Sequence, residues 1–331
     1  MNHQFLLLPL ILLLAGTAVA GLCRLPALRR RLNITALSLL LALLPLAAFV
    51  LLVMAVGLED RAGQPLTWRL EWIPSLGLGL SLYYDHLSGL FALLVTGIGA
   101  LVVVYAGYYF RPDHIPESPS HPGGEGRRER DGLAAISGPS PTLALRHKGR
   151  GDQTRPGDGE RPGSEHWRFL AYLLLFMTSM LGLVMAGDVI TLFIFWEGTS
   201  IASFLLVAYK TKDQEARQGA FRALFITGGG GIALLAGLLM TAYVAGGTDF
   251  ATILTSGDAL RGDALYPVLL GLLAFGAFTK SAQVPAHIWL PGAMSAPTPA
   301  SAFLHSATMV KAGIYLMARM NPALGFTDLW F

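Results

Sequence analysis

The sequence predicts an all-α polytopic membrane protein of about eight transmembrane helices, with its N-terminus on the outer side. Of the 331 residues, 53% are hydrophobic and only 14% are charged, whereas about a quarter of the residues in a soluble domain carry a charge. The apolar runs last about 20 residues instead of alternating over about 10, which favours helices over the strands of a barrel.

Three apolar runs fill the first part of the chain, at about residues 6–20, 34–58 and 86–110. Few residues precede the first run and four arginines follow it, a pattern that indicates a retained span and not a signal peptide. Residues 59–85, between the second and third runs, carry Trp and Tyr side chains that are typical of a membrane interface. We interpret residues 1–110 as an N-terminal three-helix region.

Residues 111–168 have a different composition, rich in Gly, Pro, Ser and charged side chains. This segment cannot bury enough apolar area to offset the entropy of ordering it, so we predict a disordered polar loop on the cytoplasmic side. Its ten Lys or Arg are nearly balanced by nine Asp or Glu. That mixture does not form the basic stripe that would follow a phosphate backbone, and we expect no nucleic-acid partner.

Five further apolar runs follow, at about residues 169–186, 189–209, 220–245, 265–282 and 301–320. Clusters of Lys and Arg follow the first, third and fifth runs, and no such cluster follows the second, fourth or sixth. The positive-inside rule therefore gives the orientation stated above. The connection after the seventh run is apolar and contains four prolines (Pro285, Pro291, Pro297 and Pro299). It indicates a broken or re-entrant helix buried in protein.

Four ionisable residues inside these runs are the candidate site. Glu197 lies in the fifth run, Lys280 near the inner end of the seventh, and His305 and Lys311 in the eighth. A lysine at the centre of a bilayer costs about 3 kcal/mol, so such residues are functional candidates by default. These residue types transfer protons, because a nearby carboxylate controls the charge of a buried lysine and histidine titrates near neutral pH.

Each candidate also has a structural alternative. Lys280 could extend its ammonium to the interface, Glu197 could be a static partner of a lysine, and His305 could donate to a nearby carbonyl. His287, in the connection, could be an interfacial side chain. His305 and Lys311 are six residues apart, which on an ideal helix places them about 120° apart, so they are expected to face different neighbours.

The sequence contains no motif for a cofactor. The single cysteine, Cys23, excludes an internal disulfide framework and any cysteine-built zinc or iron–sulfur site. Four consecutive glycines, Gly228 to Gly231, lie inside an apolar run, where close helix packing is their expected use and not phosphate binding. We expect no cofactor, and the residues do not identify a metal site.

At the motif level, TKSAQVPAHIWLPGAMSAPTPASAFLHSATMVKAGIYLMAR resembles the proton-conducting antiporter-like subunit family. This family includes the large, A-type subunit of Mrp-type multisubunit Na+/H+ antiporters and the membrane subunits of respiratory complex I. GDVITLFIFWEGTSIASFLLVAYK and ITGGGGIALLAG resemble the fifth and sixth helices of the same family. Within it, the sequence MVKAG, which contains Lys311, resembles the Mrp branch.

The resemblance implies a five-helix proton-translocating unit over residues 169–320, with a broken seventh helix. By matching position, Glu197, Lys280, His305 and Lys311 would form a proton relay. The chain would be a non-enzymatic subunit of a monovalent cation/proton antiporter in the cell membrane. Its partners would be other antiporter subunits, lipid, protons, and Na+ or a related cation.

Two features depart from the family pattern. Family members contain a second, inverted helical unit, and residues 321–331 are predicted to be a truncated end after the first unit. The polar segment 111–168 is an unusual insertion. Two other functions stay open: a proton-pumping membrane subunit of an NADH-quinone oxidoreductase or related hydrogenase complex, and a truncated, non-transporting scaffold chain.

Overall fold

The part of the chain that the structure describes contains eight major helices. The computed structural model describes residues 4–23, 34–73, 78–110, 164–209 and 213–330. The helices are α1 (Leu8–Leu22, after a 3-10 turn at Gln4–Leu7), α2 (Ile34–Ala62), α3 (His86–Tyr109), α4 (Ser164–Val184), α5 (Val189–Val207), α6 (Gln214–Ala245), α7 (Tyr266–Lys280) and α8 (Lys311–Leu324). The spans containing α1 to α6 are long and apolar enough to cross a membrane, and α7 is a shorter apolar helix.

A β-hairpin between α2 and α3 was not predicted. Strands β1 (Leu66–Ile73) and β2 (Leu78–Tyr84) pair antiparallel. The start of β1 alternates buried and exposed side chains, with Leu66 and Trp68 buried and Thr67 and Arg69 exposed. Such a period of two is the signal of a strand with one covered face. The Trp and Tyr residues of this segment, which indicate a membrane interface, do not by themselves predict a strand.

The connections after α2, α4 and α6 lie together on what we call the hairpin side of the protein. Leu82 of β2 forms a bridge with Ala186, and Asp188 forms one with Asp249. The backbone N–H of Tyr83 donates to the carbonyl of Met185 at 2.8 Å. Alternate connections on one side are what successive membrane crossings require. The distribution of Lys and Arg predicts that this side is the outer one.

Helix α4 is the centre of the bundle. Its apolar window is 78% buried, the largest share among the candidate spans, and it contacts α1, α3, α5 and α8. The helix begins at Ser164, ahead of the predicted boundary, so residues 164–168 are helical and do not belong to the predicted polar loop. The rest of that predicted loop, residues 111–163, lies outside the described residues, and the domain boundaries stay predictions.

The break after α7 agrees with the four prolines. The chain continues through short helical turns at Ala286–Trp289, Leu290–Ala293 and Thr298–Ser301, then a π-helical segment, Ala302–Thr308, before α8 begins. The eighth apolar run, predicted as one helix, is therefore interrupted. The turn Leu290–Ala293 packs on the start of α6, where a Cβ added to Gly219 would lie 2.2 Å from the carbonyl oxygen of Gly292.

Candidate functional site

Lys280 lies at the middle depth of the helical bundle. Its neighbour Thr279 contacts Gly230 so closely that an added Cβ would lie 1.8 Å from the Thr279 hydroxyl. Gly230 is at the midpoint of the 32-residue α6, roughly 16 Å along that helix from Gly219, which packs against Gly292 of the broken segment. Lys280 is the last residue of α7, which agrees with the prediction that it lies near the inner end of its run, and the broken segment continues beyond it.

The ammonium of Lys280 is held by α5. Its Nζ donates hydrogen bonds to the carbonyl oxygen of Trp196 at 2.9 Å and to the hydroxyl of Ser200 at 2.6 Å. The same Nζ lies 5.2 Å from the centroid of the Trp196 ring, within the range of a cation–π interaction. Since the residue is 0% exposed, the alternative in which Lys280 extends to the interface is excluded.

Glu197 lies beside this lysine but does not contact it. The ion pairs of the described residues include none between the two side chains, although their charges interact electrostatically. Glu197 Oε1 is buried and has no hydrogen-bond partner within the described residues. Lys280 is thus held by hydrogen bonds to α5, while Glu197 lies near it without an ion pair between the two side chains.

The glycine run of α6 makes room for Glu197 of α5 and for Thr279 of α7. A Cβ on Gly231 would lie 2.0 Å from Glu197 Oε1, and Gly230 is the residue that contacts Thr279. Gly228 and Gly229 would meet no atom within 4 Å. The predicted use of the run for close packing is thus confirmed for the second pair of glycines, which lets α6 approach both α5 and the end of α7.

The broken segment connects Lys280 to His305. Trp289 is buried, and its Nε1 donates to the carbonyl of Thr279 at 2.9 Å. The rings of Trp289 and His305 are 6.1 Å apart. His305 Nε2 lies 3.3 Å from the carbonyl oxygen of Ala293, while its Nδ1 is buried without a partner within the described residues. His305 belongs to the π-helical segment, and such segments occur often at functional sites.

Lys311 and His287 face away from this cluster. Lys311 begins α8 and is exposed, and it forms no hydrogen bond or ion pair within the part of the chain that the structure describes. His287 is also exposed, which agrees with the interfacial alternative. The expectation that His305 and Lys311 face different neighbours is confirmed, although the helix between them is interrupted. Glu197 lies near Lys280, Trp289 links the residue before Lys280 to His305, and Lys311 does not join them.

A buried ion pair, which the sequence interpretation did not identify, joins α8 to the start of α3. Arg319 donates through both terminal nitrogens to the carboxylate of Asp85, with Nη2 at 2.8 Å from Oδ1. Its Nη2 also donates to Ser88 at 2.7 Å, and its side chain is only 2% exposed. The available signal was an arginine inside the eighth apolar run.

Asp85 stays ionised because of this arginine. Burial by itself would raise the pKa of the Asp85 carboxyl, but the hydrogen bonds and positive charge of Arg319 outweigh it and hold the pKa below its ordinary value. Asp85 also caps α3 by accepting from the backbone N–H of Ser88 at 2.9 Å. One carboxylate thus fixes the start of α3 and the end of α8. Within the described residues, no three His, Cys, Asp or Glu side chains are grouped so that they could hold a metal ion.

Two family profiles match the chain. Residues 186–331, which contain the whole cluster, match the family described as NADH:quinone oxidoreductase/Mrp antiporter, TM. Residues 70–116 match the N-terminus of chain 5 of NADH-ubiquinone oxidoreductase (complex I). The first of these profiles describes a membrane domain that occurs in both Mrp antiporters and NADH:quinone oxidoreductases. The chain is a multi-pass membrane protein.

Two relatives carry antiporter names and share this membrane domain. The chain is 40% identical over 287 residues to a probable K(+)/H(+) antiporter subunit of Rhizobium meliloti, named as type A/B, covering 86% of this chain and 24% of the relative. It is 36% identical over 288 residues to the A-type Na(+)/H(+) antiporter subunit of Alkalihalophilus pseudofirmus, covering 87% and 30%. The predicted resemblance to the A-type subunit of Mrp antiporters is confirmed.

Solved structures agree with the fold. One chain of the Mrp complex of a Dietzia species is similar to this protein, with a TM-score of 0.73 and 31% identity. The match covers 98% of this chain and 29% of the Dietzia chain. An archaeal membrane-bound sulfane sulfur reductase has a TM-score of 0.64 at 20% identity, so it shares the fold alone. The chain spans between 24% and 30% of the length of the two antiporter relatives.

Proposed function

We propose that this chain forms part of the A-type subunit of a multisubunit Na+/H+ or K+/H+ antiporter, and that Lys280 is its central proton-carrying group. The observation that carries the proposal is the placement of Lys280. Its Nζ is fully buried at the middle depth of the bundle, yet its hydrogen-bond acceptors are a neutral carbonyl and a neutral hydroxyl. The relatives that are named antiporter subunits supply the transported cations of the proposal.

The separation of Glu197 from Lys280 is what makes proton transfer possible in this arrangement. In a medium of low dielectric constant, an approaching carboxylate stabilises an ammonium, and a withdrawing carboxylate stabilises the neutral amine. Because Glu197 Oε1 has no partner within the described residues and borders Gly231, its side chain is not tied to one position by a hydrogen bond at that atom. Movement of Glu197 would therefore switch Lys280 between binding and releasing a proton.

His305 would receive the proton through water. Three buried polar atoms of the residues on the proposed path from Lys280 to His305 have no protein partner within the described residues: Glu197 Oε1, Trp196 Nε1 and His305 Nδ1. Buried polar atoms of this kind are the usual partners of ordered water. Trp289 supports this path by bonding Thr279 and lying beside His305.

Lys311 would pass the proton beyond this segment. A lysine that faces lipid inside a span costs about 3 kcal/mol, so we propose that protein covers the exposed face of α8. The relatives extend well beyond the matched region, and their remainder or another antiporter subunit would provide that cover. The cation path would then lie outside the described cluster.

The membrane subunit of an NADH-quinone oxidoreductase or related hydrogenase is the second candidate, because the matching family profile names both classes. The identities of 36% and 40% to antiporter subunits favour the antiporter. Purification of the native complex distinguishes the two functions: subunits that carry flavin and iron–sulfur clusters would contradict the antiporter. A scaffold without transport would be indicated if substitution of Lys280 left cation-driven proton movement unchanged.

A further inference from the structure

His86 lies between two carboxylates on the hairpin side, away from the Lys280 cluster. Its Nδ1 is 2.8 Å from Glu59 Oε1, and its Nε2 is 2.9 Å from Asp60 Oδ1. The backbone N–H of His86 also donates to Glu59 Oε1, at 3.0 Å. Glu59 and Asp60 belong to the last turns of α2 and His86 begins α3, so this residue joins the ends of two helices.

The number of protons decides whether this contact is attractive. A neutral imidazole has one N–H donor and one acceptor nitrogen, while a carboxylate only accepts. If both carboxylates are ionised, a neutral His86 would therefore direct one lone pair at a carboxylate oxygen less than 3 Å away. The protonated imidazolium has an N–H on both nitrogens: Nε2 then donates to Asp60, and Nδ1 forms an ion pair with Glu59. The observed geometry thus fits a site with one additional proton bound.

One buried and two exposed side chains form this site, and the exposed ones make it responsive to the pH of the aqueous phase. The side chain of Glu59 is only 5% exposed and its Oε2 has no partner within the described residues, whereas the side chains of His86 and Asp60 are 71% and 60% exposed. A buried carboxylate with an unsatisfied oxygen favours a bound cationic partner. The exposed imidazole gives protons from the hairpin side direct access.

We propose that Glu59, Asp60 and His86 form a proton-binding site on the hairpin side, which clamps the end of α2 to the start of α3 when it is protonated. Binding changes imidazole to imidazolium and breaks no covalent bond. A rise in pH on that side would remove the proton, and with it the attraction between the imidazolium and the two carboxylates, and would loosen the clamp. The site lies outside the proposed relay and does not depend on it.

The other charged and titratable groups around His86 leave this sign unchanged. Asp85 precedes it, and its negative charge also favours the imidazolium, but Asp85 is itself paired with Arg319 of α8. The hydroxyl of Tyr84, from β2, donates to the carbonyl of Leu52 and so contacts α2 without facing the imidazole as a charge. The clamp therefore lies next to the ion pair that connects α3 to α8.

The test is a pH titration of the full chain in lipid nanodiscs, in which NMR of 13C-labelled imidazole carbons reports the protonation of each histidine. The His86 signal is assigned from its loss in His86→Gln. We expect the titration midpoint of His86 to fall by at least about half a pH unit in Asp60→Asn, because one anionic acceptor is removed. Asp60 is exposed, so this variant keeps the fold. An unchanged midpoint in Asp60→Asn would overturn the proposal.

A second measurement follows the clamp itself. We expect the melting temperature of the full chain to fall as pH rises through the range of about 5 to 8 in which histidine loses its charge, by more in the wild type than in His86→Gln. Equal pH dependence in the two proteins would contradict the clamp. Neither measurement involves transport, so failure here leaves the proposed antiporter function untouched, and failure of transport leaves this site testable.

Discussion

The Nζ atom of Lys280 donates a 2.9 Å hydrogen bond to the carbonyl oxygen of Trp196, which joins the broken end of α7 to the middle of α5. Glu197 is the next residue on α5, so the helix that holds the lysine also carries its nearest potential counter-charge. Two adjacent residues of one helix thus supply a fixed neutral acceptor and an unbonded carboxylate oxygen. The prediction for Gly231 depends on this difference.

Substitution of Gly231 by alanine should impair proton movement without removing any ionisable group. The new methyl would fall 2.0 Å from Glu197 Oε1, so the carboxylate must shift. We expect Gly231→Ala to lower cation-driven proton movement by about tenfold or more, a size typical of losing one positioned charged group. The measurement is dye-monitored antiport in everted membrane vesicles of an antiporter-deficient host that expresses the whole complex.

Gly228→Ala is the matched control for that experiment. It makes the same chemical change three residues earlier in the same helix, where the added Cβ would meet no atom within 4 Å. Because alanine is the better helix former by about 1 kcal/mol, this variant should fold and transport like the wild type. Equal impairment in both variants would show that the effect comes from α6 in general and not from the position of Glu197.

Removal of the negative charge of Asp85 should destabilise the fold. Asp85→Asn leaves the buried guanidinium of Arg319 without its counter-charge, and such a loss typically costs about 3 kcal/mol. Thermal unfolding in nanodiscs measures it. Asp258→Asn is the control, since Asp258 is fully exposed where it pairs with Arg261 three residues later, and pairs with an exposed carboxylate contribute little. A drop of equal size in both variants would contradict the proposed role of the buried pair.

The Asp85–Arg319 pair makes the stability of the fold depend on pH in the acidic range. The pKa of Asp85 is lowered in the folded protein, mainly because the bonds to Arg319 outweigh burial. Its stabilising contribution is therefore complete above the ordinary carboxylate pKa and is lost as the pH falls through the lowered value. Wild-type stability should decline in acid by more than that of Asp85→Asn, and parallel declines would exclude this contribution.

Lys311 should matter for transport and not for the fold of this chain. Its side chain is exposed and forms no hydrogen bond or ion pair within the described residues. We expect Lys311→Ala to leave the melting temperature of the isolated chain nearly unchanged but to reduce antiport by the whole complex. Normal antiport by Lys311→Ala would show that the proton does not pass this residue.

The ionisable residues inside the apolar runs could be found from sequence because their cost in lipid makes them conspicuous. Glu197, Lys280 and His305 are identifiable in this way, and the structure places Glu197 near Lys280 and Trp289 between the end of α7 and His305. Their contacts could not be predicted. The partner of Lys280 is a backbone carbonyl, which every residue possesses and no sequence pattern marks. The path of the chain after Lys280 could not be predicted either, because the short turns of the broken segment lack helical periodicity.

The β-hairpin and the Asp85–Arg319 ion pair could not be predicted from the sequence for two different reasons. The hairpin was missed although β1 alternates, because its aromatics also suit an interface. The Asp85–Arg319 pair was missed because its members are 234 residues apart. No local spacing rule links such positions.

Antiport by the complete complex carrying Lys280→Ala or Lys280→Arg tests the central claim most directly. Arginine keeps the positive charge but does not release its proton under physiological conditions, so it separates proton transfer from charge balance. With Gly228→Ala as the folding and expression control, we predict that both lysine variants lose cation-driven proton movement in everted vesicles while the complex still assembles. Wild-type proton movement in Lys280→Arg would contradict the assignment of Lys280 as a proton carrier.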